Sequence, residues 1–245
     1  MASAVLLLAS VSAISIAQAE ATSAATVIIP VSQSTDTAEE FLEASLADSE
    51  RWPANYSYAT SSDLELGFDP PHGPQLNAVR FTGLVVPDGS WVEHAEVVFT
   101  ADGNSSGPLT LVVYGEASDA AEPFVQDPDR VGTGDLSSRP ATAAVVEWST
   151  DEPWRSGEQY ATPDIAAIIQ EIVDRPGWRS GAPIVVLIDG TGEETFRRAL
   201  AYEGARGEPD RVPLLRVRFG GAATGADPAP VPETAPEPEP APEPE

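Results

Sequence analysis

The chain has 245 residues and no cysteine, which excludes disulfide scaffolds, thiolate chemistry, zinc fingers and iron–sulfur ligation. Its 39 acidic residues outnumber 13 basic residues, all of them arginine, and give a formal net charge of −26. A field of this sign repels phosphate backbones and anionic lipids, so we expect neither nucleic-acid binding nor membrane-surface binding. Cations are the expected partners.

The N-terminus predicts export. An apolar run from Val5 to Ile16 is too short to span a bilayer, and Ala17-Gln18-Ala19 follows it as an A-x-A cleavage signal. We therefore interpret residues 1–19 as a signal peptide, although no lysine or arginine precedes the apolar run. The protein is expected to be secreted, at the cell surface or periplasmic, with no membrane insertion.

The C-terminus predicts a spacer. Residues 222–245 are rich in Pro, Glu and Ala, a composition that cannot bury apolar area and favours extended polyproline II. We interpret them as a disordered tail or linker, which a neighbouring domain would follow. Residues 20–221 remain for a single β-sandwich domain.

Between these ends, short apolar runs with strand-like alternation follow one another, separated by turn residues. In the run 91–100, for example, Ala95, Val97 and Phe99 share one face. Two of the runs, 143–148 and 184–188, are apolar enough to predict fuller burial. The predicted strands are 26–31, 64–68, 76–86, 91–100, 109–114, 143–148, 184–188, 200–202 and 214–219.

One segment has helical periodicity instead. Thr162-Pro163-Asp164 offers an N-terminal cap, isoleucines then fall on one face at helical spacing, and Arg175-Pro176-Gly177 ends the pattern. We predict an all-β fold: an antiparallel β-sandwich (jelly roll) with one capping α-helix around 163–175.

Motifs of catalysis are mostly missing. The two histidines, His72 and His94, have no metal-ligand spacing, and neither H-E-x-x-H nor G-x-S-x-G occurs. Asp189-Gly190-Thr191-Gly192 resembles the aspartic-protease triplet, but it occurs once and a turn explains it. We expect a protein that is not an enzyme, although a carboxylate pair for glycoside hydrolysis stays open.

Two acidic segments, 36–40 and 61–65, are interpreted as loops beside neighbouring strands. Calcium takes six to eight oxygen ligands from such loops, so Glu39, Glu40, Asp63 and Glu65 are candidate ligands of a structural Ca²⁺. The alternative is a solvated acidic face.

Aromatic side chains in polar, loop-like stretches are candidates for stacking against sugar rings. Trp52, Tyr56 and Tyr58 lie in one such stretch, and Trp154 and Tyr160 flank another. For each of them the alternative is structural packing.

Five motifs also carry a family resemblance: 36–40 (DTAEE), 61–67 (SSDLELG), 114–119 (YGEASD), 136–142 (LSSRPAT) and 169–178 (IQEIVDRPGW). Together, over residues 26–219, the chain resembles a jelly-roll module of large bacterial extracellular proteins, often found beside carbohydrate-active or adhesion domains. It is also similar to DNRLRE-type carbohydrate-binding modules, although the DNRLRE signature itself does not occur.

The first hypothesis is therefore an exported, non-catalytic module that binds a polysaccharide or cell-surface glycan. The second is a structural or adhesive surface domain with protein partners. A glycosidase or lyase comes third, because it would need an open groove with two facing acids.

Overall fold

The computed structural model describes residues 26–44, 53–70, 72–125, 135–192 and 194–221. The predicted signal peptide and the predicted tail lie outside these ranges. Within them, no helix is long and apolar enough to cross a membrane. The elements are β1 Thr26–Pro30, a 3-10 turn Ser34–Asp36, β2 Thr37–Phe41, β3 Tyr56–Tyr58, β4 Asp63–Asp69, β5 Gly73–Phe81, β6 Trp91–Thr100, β7 Leu109–Glu116, β8 Ala141–Thr150, β9 Gln159–Ala161, α1 Ala166–Val173, β10 Ile184–Gly190, β11 Arg197–Leu200 and β12 Leu214–Gly220.

The strands form two antiparallel sheets. The smaller sheet has the order β1-β12-β6-β9. The larger has the order β11-β4-β5-β10-β7-β8, with β2 also paired to β5 and β3 paired to β2. The main core cluster takes buried side chains from both sheets, such as Val97 and Phe99 of β6 and Leu111 and Val113 of β7. The predicted all-β antiparallel sandwich is confirmed.

The α-helix is confirmed but shorter than predicted. Ile168, Ile169 and Ile172 of its apolar stripe are fully buried. The helix begins at Ala166, and the segment before it bonds to β6: Thr162 N donates to Val97 O at 2.9 Å and Ile165 N to Ala95 O at 2.8 Å. The N–H groups at the start of a helix have no partner within it, and β6 supplies the partner for Ile165, whose carbonyl oxygen already accepts a hydrogen bond from Ile169 N at 3.2 Å.

The helix also closes an irregular edge of the larger sheet. The β7–β8 register shifts between Tyr114 and Glu116. Beside this bulge, the two Glu171 carboxylate oxygens accept hydrogen bonds from Ala143 N at 2.8 Å and Ala144 N at 2.7 Å. These bonds lower the pKa of Glu171. The carboxylate thus accepts hydrogen bonds from two backbone N–H groups of β8. Strand β8 is the edge strand of the larger sheet among the described residues, with β7 as its one strand partner.

A second, smaller apolar cluster lies on the outer face of the larger sheet. Strand residues such as Ala78 and Leu187 are covered there by Phe124 and Leu136 from the connection between β7 and β8. A buried ion pair fastens this layer: Arg80 Nη1 lies 2.6 Å from Asp36 Oδ1, and Arg80 Nε donates to Ala121 O at 2.9 Å.

Three sequence predictions about local structure are wrong. Most of the segment 36–40, predicted as an acidic loop, belongs to β2 (Thr37–Phe41), whose five residues are all buried. Residues 56–58, predicted as loop-like, form β3, which pairs with β2. Strand β8, predicted to be well buried, is a half-exposed edge strand. In each case the pairing of distant strands, which a local pattern does not contain, decided the outcome.

Candidate functional site

Strand β4 places acidic side chains on one face and apolar ones on the other. Leu64 and Leu66 enter the core, whereas Asp63, Glu65 and Asp69 line a cavity of about 240 Å³. This alternation follows from the two-residue period of a strand. We call this cavity, lined by Glu39, Phe41, Tyr58, Ser61, Asp63, Glu65, Asp69 and His72, the acidic cavity.

Strands β2 and β3 supply the opposite wall. Their antiparallel register pairs Glu39 directly with Tyr58. Phe41, two residues further along β2, lies on the same side as Glu39, and its ring meets the ring of His72 edge-on with centroids 5.7 Å apart. The register therefore brings a carboxyl group and two aromatic rings to one wall.

Hydrogen bonds and ion pairs hold the β4 wall in place. Asn77 Nδ2 donates to Glu65 O at 2.8 Å, beyond the point where the β4–β5 ladder ends. Arg198 Nε lies 3.0 Å from Glu65 Oε1 and 3.3 Å from Asp63 Oδ2. At the other end of β4, the ring Nδ1 of His72 lies 2.6 Å from Asp69 Oδ2. The carboxyl groups are thus preorganised.

Burial makes these acids unusually weak. Burial, followed by repulsion from Glu65, Asp63 and Asp69, raises the pKa of Glu39 well above its ordinary value. Burial, followed by the charges of Asp63 and Asp69, raises the pKa of Glu65 to about 8, against the opposing effect of Arg198. Burial also raises the pKa of Asp69, against the hydrogen bond with His72. The carboxyl groups of Glu39, Glu65 and Asp69 therefore hold their protons more strongly than free carboxyl groups do.

These shifts predict how stability depends on pH. The pKa of Glu65 is 4.5 in the unfolded state and about 8 in the folded state, so the folded state binds more protons at pH values between the two. The free energy of unfolding therefore falls as the pH rises from about 4.5 to about 8. At 1.36 kcal/mol per pH unit the upper limit is about 5 kcal/mol. We expect Glu65→Gln, which cannot ionise, to match the natural protein near about pH 5 and to exceed it in melting temperature near about pH 9. Parallel melting curves for the two proteins would contradict the raised pKa.

Glu40 does not belong to the cavity. It points to the other side of β2, where its Oε2 accepts hydrogen bonds from Leu136 N at 2.6 Å, Ser137 N at 3.2 Å and Ser57 Oγ at 3.0 Å. The prediction that it joins Glu39 around one calcium ion is wrong, because successive strand residues face opposite sides. Among the described residues, no group of three or more His, Asp or Glu side chains is arranged to hold a metal ion. Calcium at Glu39, Asp63 and Glu65 stays a prediction.

The aromatic candidates separate into different environments. Tyr58 lines the acidic cavity, and Tyr56 lies beside Phe41, with ring centroids 6.5 Å apart. Trp52 falls outside the described residues. The two remaining candidates, in the 153–160 region, do not reach this cavity.

Trp154 is only 2% exposed, so the prediction of an exposed stacking ring is wrong there. Its ring stacks on that of Tyr160 at 4.7 Å and 7°, and the Tyr160 hydroxyl accepts a hydrogen bond from Arg155 N at 2.9 Å. Trp154 also pairs with Ser105 through the backbone. The two rings therefore stabilise a loop. A cavity of about 450 Å³ lies beside that loop and contains no carboxylate in its described lining.

Sequence reasoning missed four residues that line the acidic cavity, Phe41, Ser61, Asp69 and His72, and also Arg198, which pairs with Glu65. A signal existed for Asp69, because it directly follows the predicted strand 64–68 and keeps the two-residue period of Asp63 and Glu65, with Gly67 at the position between Glu65 and Asp69. No local signal places Arg198 opposite Glu65, since that contact depends on the pairing of β11 with β4.

No family model matches the chain, and no curated protein does. Among solved structures, the chain is similar to the crystal structure of hydroquinone 1,2-dioxygenase from Sphingomonas sp. TTNP3 with 4-hydroxybenzoate bound, at 15% identity and a TM-score of 0.17. The match covers 61% of this chain and 60% of that one. A likeness this weak carries no argument about function.

Proposed function

We propose that this chain is an exported, non-catalytic module that binds a polysaccharide or cell-surface glycan in the acidic cavity. One observation carries the proposal: the β2–β3 register places Tyr58 opposite Glu39, in the same cavity as Asp63, Glu65 and Asp69. An aromatic face can pack against the C–H face of a sugar ring, and carboxylate oxygens accept hydrogen bonds from its hydroxyl groups.

The size of the cavity favours one residue of a polymer over a whole small molecule. Its volume of about 240 Å³ is below the range of about 300–1,000 Å³ that is typical of drug-sized ligand sites. A sugar unit can enter such a cavity while the rest of the chain continues over the surface. The predicted signal peptide and the resemblance to carbohydrate-binding modules agree with a partner outside the cytoplasm.

Replacing Tyr58 with alanine tests the proposal. We expect the natural protein to be retarded by a soluble polysaccharide in affinity electrophoresis and to bind on a glycan array. We expect Tyr58→Ala to weaken that binding about tenfold, because about 1.4 kcal/mol of ring contact is lost. Both measurements are made with and without calcium, which tests the calcium prediction.

Trp91→Ala is the matched control. Trp91 is 55% exposed at the start of β6, where its ring lies over Gly220 and Gly221, and it is absent from the described lining of the acidic cavity. We expect this variant to bind like the natural protein. Equal binding by Tyr58→Ala would contradict the proposed site. If no glycan is retained at all, the structural or adhesive alternative takes its place.

A second candidate function, cleavage of the bound glycan, is favoured by one observation. Glu39 and Glu65, both with raised pKa, line the same cavity, and a general acid of a glycosidase needs a carboxyl group that holds its proton near neutral pH. Prolonged incubation with a bound glycan distinguishes the two functions. The binding module releases no new reducing ends, whereas release that disappears in Glu65→Gln establishes the second candidate.

A further inference from the structure

The acidic cavity has an excess of acidic groups. Four carboxyl groups line it, from Glu39, Asp63, Glu65 and Asp69. Two of them share Arg198, and Asp69 is paired with His72. The described contacts give Glu39 no ion pair. A ligand that enters beside Glu39 therefore meets acidic groups that the protein does not itself balance.

Glu39 is also short of hydrogen bonds. It is only 2% exposed, and its Oε1 atom has no hydrogen-bond partner within the described part of the chain. An unsatisfied buried polar group costs about 1–3 kcal/mol. Native structures rarely retain such a cost without a reason, and a ligand that donates a hydrogen bond to Oε1 would remove it.

The aromatic wall suits a cation as well as a sugar face. Tyr58 is the cross-strand partner of Glu39, and Phe41 lies two residues away on the same side of β2. Aromatic faces attract ammonium groups, by about 0.5–2 kcal/mol depending on solvent exposure. A neutral hydroxyl group could satisfy the hydrogen bond to Glu39, but it would leave the carboxyl group in the protonated form that burial favours. An ammonium group supplies three donors, and its positive charge favours release of the Glu39 proton to solvent, so that an ion pair forms.

We propose, resting on the glycan-binding function above, that the acidic cavity recognises an amino sugar whose amine is free, with the ammonium group bound at Glu39 beside Tyr58. The ligand class is accordingly a polysaccharide of amino sugars in which some or all of the amines carry no acetyl group. The formal net charge of −26 further favours the approach of such a polycation.

Isothermal titration of the full chain with three oligosaccharides of equal length tests the inference: one of glucosamine, one of N-acetylglucosamine and one of glucose. At a pH where the amine is protonated, we expect glucosamine to bind at least about tenfold more tightly than the other two, which corresponds to about 1.4 kcal/mol. Glu39→Gln should bring the three affinities to within about threefold of one another.

Glu93→Gln is the matched control. Glu93 lies on β6, forms an exposed ion pair with Arg218 of β12 and is not part of the described cavity lining, so the variant makes the same Glu-to-Gln change outside the cavity. We expect it to preserve the preference for glucosamine. A melting curve for each variant shows that it is folded.

The remaining outcomes overturn the inference in distinguishable ways. If the acetylated and free-amine oligosaccharides bind equally and both depend on Tyr58, the ammonium preference is wrong and the glycan-binding function stands. If no oligosaccharide binds, but oligolysine or Ca²⁺ binds in a manner that Glu39→Gln abolishes, both the preference and the glycan-binding function are wrong.

Discussion

Replacing Gly190 with alanine is expected to lower the free energy of unfolding by about 3 kcal/mol, the upper end of the usual overpacking range. A Cβ atom at this position would lie 2.6 Å from Gly67 O and 3.0 Å from Gly67 Cα. Both are backbone atoms of β4, so no side chain can rotate away. The new methyl group must push β4 from β10 or distort Gly67, whose φ of +104° already suits only glycine.

Urea denaturation measures this loss, and Gly192→Ala is its control. Gly192 has a φ of +92°, but an added Cβ would meet no atom within 4 Å, so only the conformational cost of about 1–2 kcal/mol remains. Because Gly67 lies between Glu65 and Asp69, we also expect Gly190→Ala to weaken ligand binding, whereas Gly192→Ala leaves it unchanged. Equal losses of stability in the two variants would show that β4 does not depend on this close contact.

Replacing Arg80 with methionine is expected to lower the free energy of unfolding by about 3–5 kcal/mol, because it leaves the buried carboxylate of Asp36 without its cation. Asp36 is fully buried, and its remaining side-chain donors are Ser32 Oγ at 3.0 Å and Gln33 Nε2 at 3.4 Å. The variant also removes the hydrogen bond to Ala121 O, which holds the outer layer to β5.

A double-mutant cycle with Asp36→Asn separates the two effects. The doubly substituted protein should recover part of the loss, because no uncompensated charge remains. Arg218→Met serves as the control for an exposed pair: Arg218 and Glu93 are 46% and 44% exposed, so we expect a loss below about 1 kcal/mol. Strictly additive losses in the cycle would mean that the ion pair carries no coupling.

The sequence predicts those elements whose buried residues follow a regular period within a short stretch of the chain. The alternation in β6 and the isoleucine stripe of α1 each place apolar side chains at the period of their element, and the core accepts them there. Strand β2 could not be predicted in this way. Its central residues are Glu39 and Glu40, and they are buried because β5 and β3 pair on either side.

The residues of the acidic cavity also differ in whether a local pattern predicts their position. Asp63 and Glu65 could be placed on one face from their spacing alone. Glu39 faces these two residues, whereas Glu40 points to the other side of β2. This difference also follows from the two-residue period of a strand, but it can be predicted only once β2 is known to be a strand. The position of Tyr58 opposite Glu39 depends on strand register, which is a long-range property. Trp154 misleads for the opposite reason: its neighbours in sequence are polar, yet its neighbours in space include the rings of Trp148 and Tyr160.

The carboxylate of Glu171 has a consequence for association between chains. The outer edge of β8 would otherwise offer unpaired backbone groups to any extended segment that comes alongside. At Ala143 and Ala144 those amides already bond to a side chain from the same molecule, and the bulge bends the strand away from regular pairing. An incoming strand would have to displace an ionised group first, so side-by-side growth into fibrils is discouraged at this rim of the sandwich.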